Sequence, residues 1–145
     1  MQKKRVTLCL SIFTILASWL FLSSAWPGLA SYNYRATVSI TNSLSTALTD
    51  YQLLITLNTK ALVDVGKMQA DGDDIRFLDA DDCTQLSYWI ESGINTTSTR
   101  IWVKVPSIPA SSSKDIYLYY GNDAASIASN GTNTFDFFDD FETDL

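Results

Sequence analysis

The chain contains no histidine, which removes Ser-His-Asp and Cys-His nucleophilic catalysis, histidine general bases and imidazole metal ligands together. Only carboxylates remain for acid–base work, and glycoside hydrolysis needs just two of them at a defined separation. Glu91 is the one acid set mid-strand among aromatic residues, in Tyr88-Trp89-Ile90-Glu91. Its expected neighbour is Arg100, and a guanidinium beside a carboxylate keeps it ionised, the opposite of what a general acid needs. Catalysis is therefore not expected, and recognition is. Trp89 and Trp102 fall on one side of adjoining strands with Glu91, Arg100 and Lys104 around them. Tyr117 and Tyr119 extend this face if their strand lies alongside. A flat aromatic surface with a charged rim suits the C–H faces and hydroxyls of a sugar ring, so these seven residues are the glycan-binding candidates. The same face also suits the second half of a core, or a seat for a neighbouring domain.

A second cluster is acidic. Asp71, Asp73, Asp74, Asp79, Asp81 and Asp82 flank one short apolar run, and carboxylates gathered by turns are the usual ligands of Ca²⁺. Their spacing lacks the glycine and the closing glutamate of an EF-hand loop. Solvated turns are the simpler reading, so no cofactor is expected and calcium is the weak candidate. Asp74 and Arg76 share a strand face and are expected to pair with each other or to bridge the sheet edge.

These residues must be positioned by strands. Leu86, Tyr88 and Ile90 alternate with Ser87, Trp89 and Glu91, and Ile101, Val103 and Val105 alternate with Arg100, Trp102 and Lys104. That is the period of two of a half-buried strand. In an antiparallel hairpin one register sets Ile90 opposite Ile101, Tyr88 opposite Val103 and Leu86 opposite Val105. It also sets Trp89 opposite Trp102 and Glu91 opposite Arg100, with Lys104 beside Ser87. A slip of one residue would pair apolar with polar positions throughout.

Further strands are expected over 34–42, 48–57 and 114–120 by the same alternation, the first two as a hairpin. On the third, Tyr117 and Tyr119 face away from Ile116, Leu118 and Tyr120. Asn58 to Met68 breaks the period and reads as a helical turn stopped by Gly66. A small, polar stretch over 124–133 reads as a linker or loose loop, and Phe135, Phe137 and Phe141 alternate with Asp136, Phe138, Asp140 and Glu142 as the start of another strand. Many short strands with regular turns and hardly any helix predict an all-β chain, an antiparallel β-sandwich of jelly-roll or immunoglobulin-like type, with a barrel as the alternative.

Residues 1–30 read as a leader. Lys3, Lys4 and Arg5 precede an apolar stretch from Val6 to Leu22, and small residues follow up to Ala30, the favoured cleavage point. The stretch is long for a secretory signal, so an uncleaved membrane anchor is the alternative. Either way the expected location is secreted or at the cell surface. The net charge of the 145-residue chain is −6, and the leader holds three of the ten basic residues and none of the sixteen acidic ones. So acidic a product is no partner for nucleic acid. Once the leader is removed Cys83 is the only cysteine left, and it reads as a small, half-buried thiol. Asn95-Thr96-Thr97 and Asn130-Gly131-Thr132 are sequons in expected loops.

Six segments in order carry a resemblance: Tyr34-Arg35, Gly66-Lys67-Met68, Asp71-Gly72 with Asp74-Ile75-Arg76-Phe77, Tyr88-Trp89-Ile90-Glu91, Ile101-Trp102-Val103-Lys104-Val105-Pro106, and Tyr119-Tyr120-Gly121-Asn122. Over essentially everything after the leader the chain resembles the bacterial and archaeal module known as domain of unknown function 2341. The resemblance implies an exported β-rich module without established activity, often set before a jelly-roll domain of the concanavalin A or laminin G type. Some relatives are joined to proton-channel proteins of the TolQ and ExbB kind. Phe138-Asp139-Asp140-Phe141-Glu142 is similar to the first strand of that following jelly roll. The expected organisation is thus a leader over 1–30, a sandwich over 31–133, and over 134–145 the first strand of a further domain. That domain is the expected partner, with polysaccharide the other candidate. The function expected is a non-catalytic module that binds glycan or docks the next domain; the alternative is a spacer with no ligand.

Overall fold

A computed structural model describes residues 29–140, so residues 1–28 of the expected leader and the closing residues 141–145, Phe141 and Glu142 among them, lie outside the described residues. Among the described residues seven strands run in the order β1 (Tyr34–Asn42), β2 (Leu48–Leu57), β3 (Arg76–Leu78), β4 (Gln85–Leu86), β5 (Tyr88–Ser92), β6 (Thr99–Ile108) and β7 (Ser112–Tyr120). The short helices are α1 (Thr59–Val63), between β2 and β3, and α2 (Gly131–Thr134), after β7. The strands form two antiparallel sheets, β1-β7-β3-β4 and β2-β6-β5. The fold is the expected all-β sandwich. Among the described residues no helix is long and apolar enough to cross a membrane.

Alternation decides what is buried. Ile101, Val103 and Val105 of β6 and Ile116 of β7 are wholly inaccessible, and they meet Ile75, Phe77, Leu86 and Tyr88 between the layers. Helix α1 closes one end with Leu62 and Val63. Asn58 caps it by accepting the Ala61 N–H at 3.0 Å, and Gly66 stops the turn at φ 67° as expected. Beneath it the buried hydroxyls of Thr59 and Thr99 bond each other at 2.5 Å.

Neighbour choice departs from the sequence reading in two places. β1 and β2 form no hairpin: β1 pairs with β7 and β2 with β6, in opposite sheets. The buried Asn42 turns the chain across. Its Nδ2 donates to the carbonyls of Thr46 and Pro109, each at 2.9 Å, and its Oδ1 accepts the Leu44 N–H at 3.0 Å. Satisfying this buried amide fixes an arch between layers rather than a tight turn. Leu86 is the second case. It lies opposite Phe77 in β4 instead of Val105, because the chain changes sheet at Ser87. The Lys104 N–H still donates to the Ser87 carbonyl at 2.9 Å, so Lys104 lies beside Ser87 as the register requires.

Candidate functional site

The outer face of the β2-β6-β5 sheet is built by the expected register. Trp89 lies opposite Trp102, Ile90 opposite Ile101 and Tyr88 opposite Val103. β2 adds Leu54 opposite Trp102, Gln52 opposite Lys104 and Thr56 opposite Arg100. A row of Leu54, Trp102 and Trp89 therefore crosses the sheet between two polar rows. At one end the register shifts between Ile90 and Ser92, so Ser92 rather than Glu91 stands opposite Arg100. A bulge of this kind re-aims a side chain. Glu91 Oε2 accepts both Arg100 Nε and Trp102 Nε1 at 2.9 Å. These two bonds hold the Glu91 carboxyl below the usual carboxylate range, the Arg100 bond being the larger influence. The acid is ionised, as the sequence suggested, and it orients the indole.

The tryptophan row is covered by the chain's own later residues. Phe138 meets Trp89 edge-on with ring centres 4.8 Å apart, and Phe135 sits edge-on to Trp89 at 5.9 Å and to Trp102 at 5.6 Å. The two phenylalanine rings stack at 6.1 Å. Such geometry suits the ring quadrupoles and leaves both tryptophans half-buried. Polar fastenings surround the cover. Asn130 N–H donates to the Tyr88 carbonyl and Ser129 Oγ accepts the Ile90 N–H, each at 2.8 Å, along the free edge of β5. Gln52 Nε2 donates to the Thr134 carbonyl at 3.3 Å, and Lys104 pairs with Asp136 at 3.0 Å. The Asp136 bond is the main cause of the upward shift of the Lys104 pKa.

Residues 124–133 are thus no loose linker. Asn130 caps α2 through the Asn133 N–H at 2.9 Å, and Thr134 Oγ1 returns to the Asn130 carbonyl at 2.7 Å. Residues 135–140 form no strand: Phe135 and Phe138 turn inward while Phe137 between them is 86% exposed.

A family model described as a domain of unknown function (DUF2341) matches residues 71–145. The chain belongs to this family. No curated protein and no solved structure matches it. The DUF2341 match begins at Asp71, so Tyr34-Arg35 and Gly66-Lys67-Met68 lie outside it, a narrower span than the resemblance suggested. It holds both tryptophans, Glu91 and the covering phenylalanines, whereas β1 and β2, the outer partners of β7 and β6, precede it.

Tyr117 and Tyr119 do not join the tryptophans. They belong to β7, in the opposite sheet, and face outward there. Tyr119 is fully buried, edge-on to Tyr32 at 6.3 Å, and its hydroxyl donates to Asp82 Oδ1 at 2.7 Å. Asp82 Oδ2 accepts Arg35 at 2.7 Å, and the Arg35 guanidinium lies 4.3 Å from the Tyr117 ring centre. Burial, with help from Asp82, pushes the Tyr119 phenol up to about 12.

The acidic turns are occupied with backbone. Among the described residues no group of three or more acidic or sulfur side chains is placed to hold a metal ion. Asp71 bonds the Asp73 N–H, and Asp81 bonds the Cys83 and Thr84 N–H groups and the Thr84 hydroxyl. Asp79 pairs with Lys114 at 2.6 Å. Asp74 and Asp82 are buried rather than solvated. Asp74 accepts Gln69 N–H at 3.1 Å and Gly121 N–H at 2.6 Å, and it does not pair with Arg76. Arg76 instead donates to the carbonyls of Asp73, Ile75 and Ser126, because its side chain lies along the chain returning over β3. Cys83 is disulfide-bonded, not the expected thiol; the other cysteine of the sequence, Cys9, lies outside the described residues.

Proposed function

We propose that this DUF2341 member is an exported, non-catalytic module with a structural role. It seats its own C-terminal segment on the tryptophan face and so holds a following domain at a fixed position clear of the membrane. The observation that carries this reading is the pair Phe135 and Phe138 lying on Trp89 and Trp102, where a sugar ring would have to stack. Phe137 supports it, since a ring held 86% exposed beside the seat offers an apolar contact to whatever packs next. Export rests on the leader pattern, and the lack of catalysis on the missing histidine and on an ionised Glu91 tied to two donors.

Thermal melts of Trp89→Ala and Trp102→Ala, read beside a glycan array of the parent, test the reading. A seat predicts no array binding and a loss of about 1 to 3 kcal/mol in either variant, less than for a fully buried ring. Array binding by the parent that either variant abolishes at unchanged melting temperature would replace the structural role with carbohydrate recognition.

A further inference from the structure

A sandwich of two open sheets has four edge strands, and unpaired edges invite another strand. Two of them are managed here. β4 has only two residues before the chain changes sheet, and the edge of β5 is occupied by Ser129 and Asn130. β1 and β2 remain. β1 carries a charge, Arg35, with Thr37, Ser39 and Thr41 on its outer face, and of its core-facing residues Ile40 is buried while Ala36 and Val38 are half-buried. β2 is different. From Tyr51 to Leu57 it pairs with β6 without interruption and contains no charge, proline or glycine, while Leu53, Ile55 and Leu57 reach the core only half-buried.

The residues around Leu54 read nearly the same in both directions: Gln52-Leu53-Leu54-Ile55-Thr56. We infer that the free edge of β2 pairs with β2 of a second copy, antiparallel about a two-fold axis at Leu54. That register sets Leu54 opposite itself, Leu53 opposite Ile55, Gln52 opposite Thr56 and Tyr51 opposite Leu57. A two-fold centred on a residue preserves parity, so core-facing positions meet core-facing ones and outward positions meet outward ones. The two three-stranded sheets become one continuous sheet, and the half-buried Leu53, Ile55 and Leu57 gain cover from the partner. No like charges oppose each other along the window. The repulsion between copies of net charge −6 acts from elsewhere on the surface and is screened by salt.

Sedimentation velocity of the full chain over a range of concentrations, with amide hydrogen exchange at each, tests the pairing. The expected result is a reversible dimer strengthened by salt, with protection over residues 51–57 rising as the dimer forms. In Gln52→Glu/Thr56→Glu each new carboxylate stands across from a cation of its own sheet, Lys104 or Arg100, which offsets the loss of the Gln52 bond to the Thr134 carbonyl. Across the two-fold, however, carboxylate opposes carboxylate, and association should weaken at least tenfold while the circular dichroism spectrum stays that of the parent. A monomer at every concentration overturns the inference. So does a dimer that the double variant leaves intact, or one whose protection appears along β1 instead.

Discussion

The ring of Phe138 lies against the α-carbon of Gly131, so close that a β-carbon there would overlap the ring. Gly131 has no unusual φ, so the constraint seen at this position is the room the Phe138 ring takes up. Gly131→Ala should push Phe138 off Trp89, at a cost of roughly 1 to 3 kcal/mol typical of overpacking. Quenching of tryptophan fluorescence by a neutral quencher checks it: quenching should rise in Gly131→Ala while the far-ultraviolet spectrum stays that of the parent.

Glu91 gives the tryptophan face an acid limit. Its folded-state pKa is depressed, so its contribution to stability is present above the ordinary carboxylate pKa and lost as pH falls through the depressed value. Glu91→Gln should remove that part of the slope. Because the pair with Arg100 is substantially exposed, its worth near neutrality should be no more than about 1 kcal/mol. Denaturant melts of both proteins between neutral and acid pH measure the difference.

Tyr88 and Tyr119 set a corresponding alkaline limit. Both are buried, and both phenols are pushed up to about 12 chiefly by burial. A phenol raised from its ordinary value of 10.0 favours the folded state below that value, and the advantage is lost as pH climbs through about 12. Unfolding by base should therefore develop across that window, with tyrosinate absorbance from these two residues appearing together with loss of structure. In Tyr119→Phe, which leaves Asp82 without its hydroxyl donor, stability at neutral pH should fall by about 1 to 3 kcal/mol.

Asp74 should be the costliest of the six turn aspartates to replace. It is fully buried and accepts two backbone N–H groups, from Gln69 and Gly121. Asp74→Ala orphans both, at roughly 1 to 3 kcal/mol for each buried donor. Asp71→Ala, which removes only an exposed turn bond, should change stability by less than about 0.5 kcal/mol. Paired chemical melts rank the two.

The register of β5 on β6 is legible in the sequence because a slip of one residue would set Tyr88 and Ile90 against polar partners, and the observed register also sets Trp89 opposite Trp102. Parity says which face a residue takes but not which strand lies beside it. Alternation accordingly gives the strand face of Tyr117 and Tyr119, but not that their strand lies in the sheet opposite the tryptophans. The arch at Asn42 and the change of sheet at Ser87 are silent in the sequence for the same reason, since neither carries a glycine or proline to mark it. The cover over the tryptophans did leave a signal. Asn130-Gly131 begins a capped turn and Phe135 and Phe138 are three apart, a spacing that fits neither a strand nor a linker. Glu91 was expected opposite Arg100 and reaches it from a bulge, which nothing in the residue types announces.

The change of sheet at Ser87 also governs how the molecule bears load. Gln85 and Leu86 are hydrogen-bonded into one layer and Tyr88 to Ser92 into the other, with only Ser87 between them. Neither layer can slide over the other without breaking a ladder on one side of that residue, so the run works as a rivet through the stack. Pulled from its two ends, the sandwich should hold as a single body and give one rupture peak in a force–extension trace, not two.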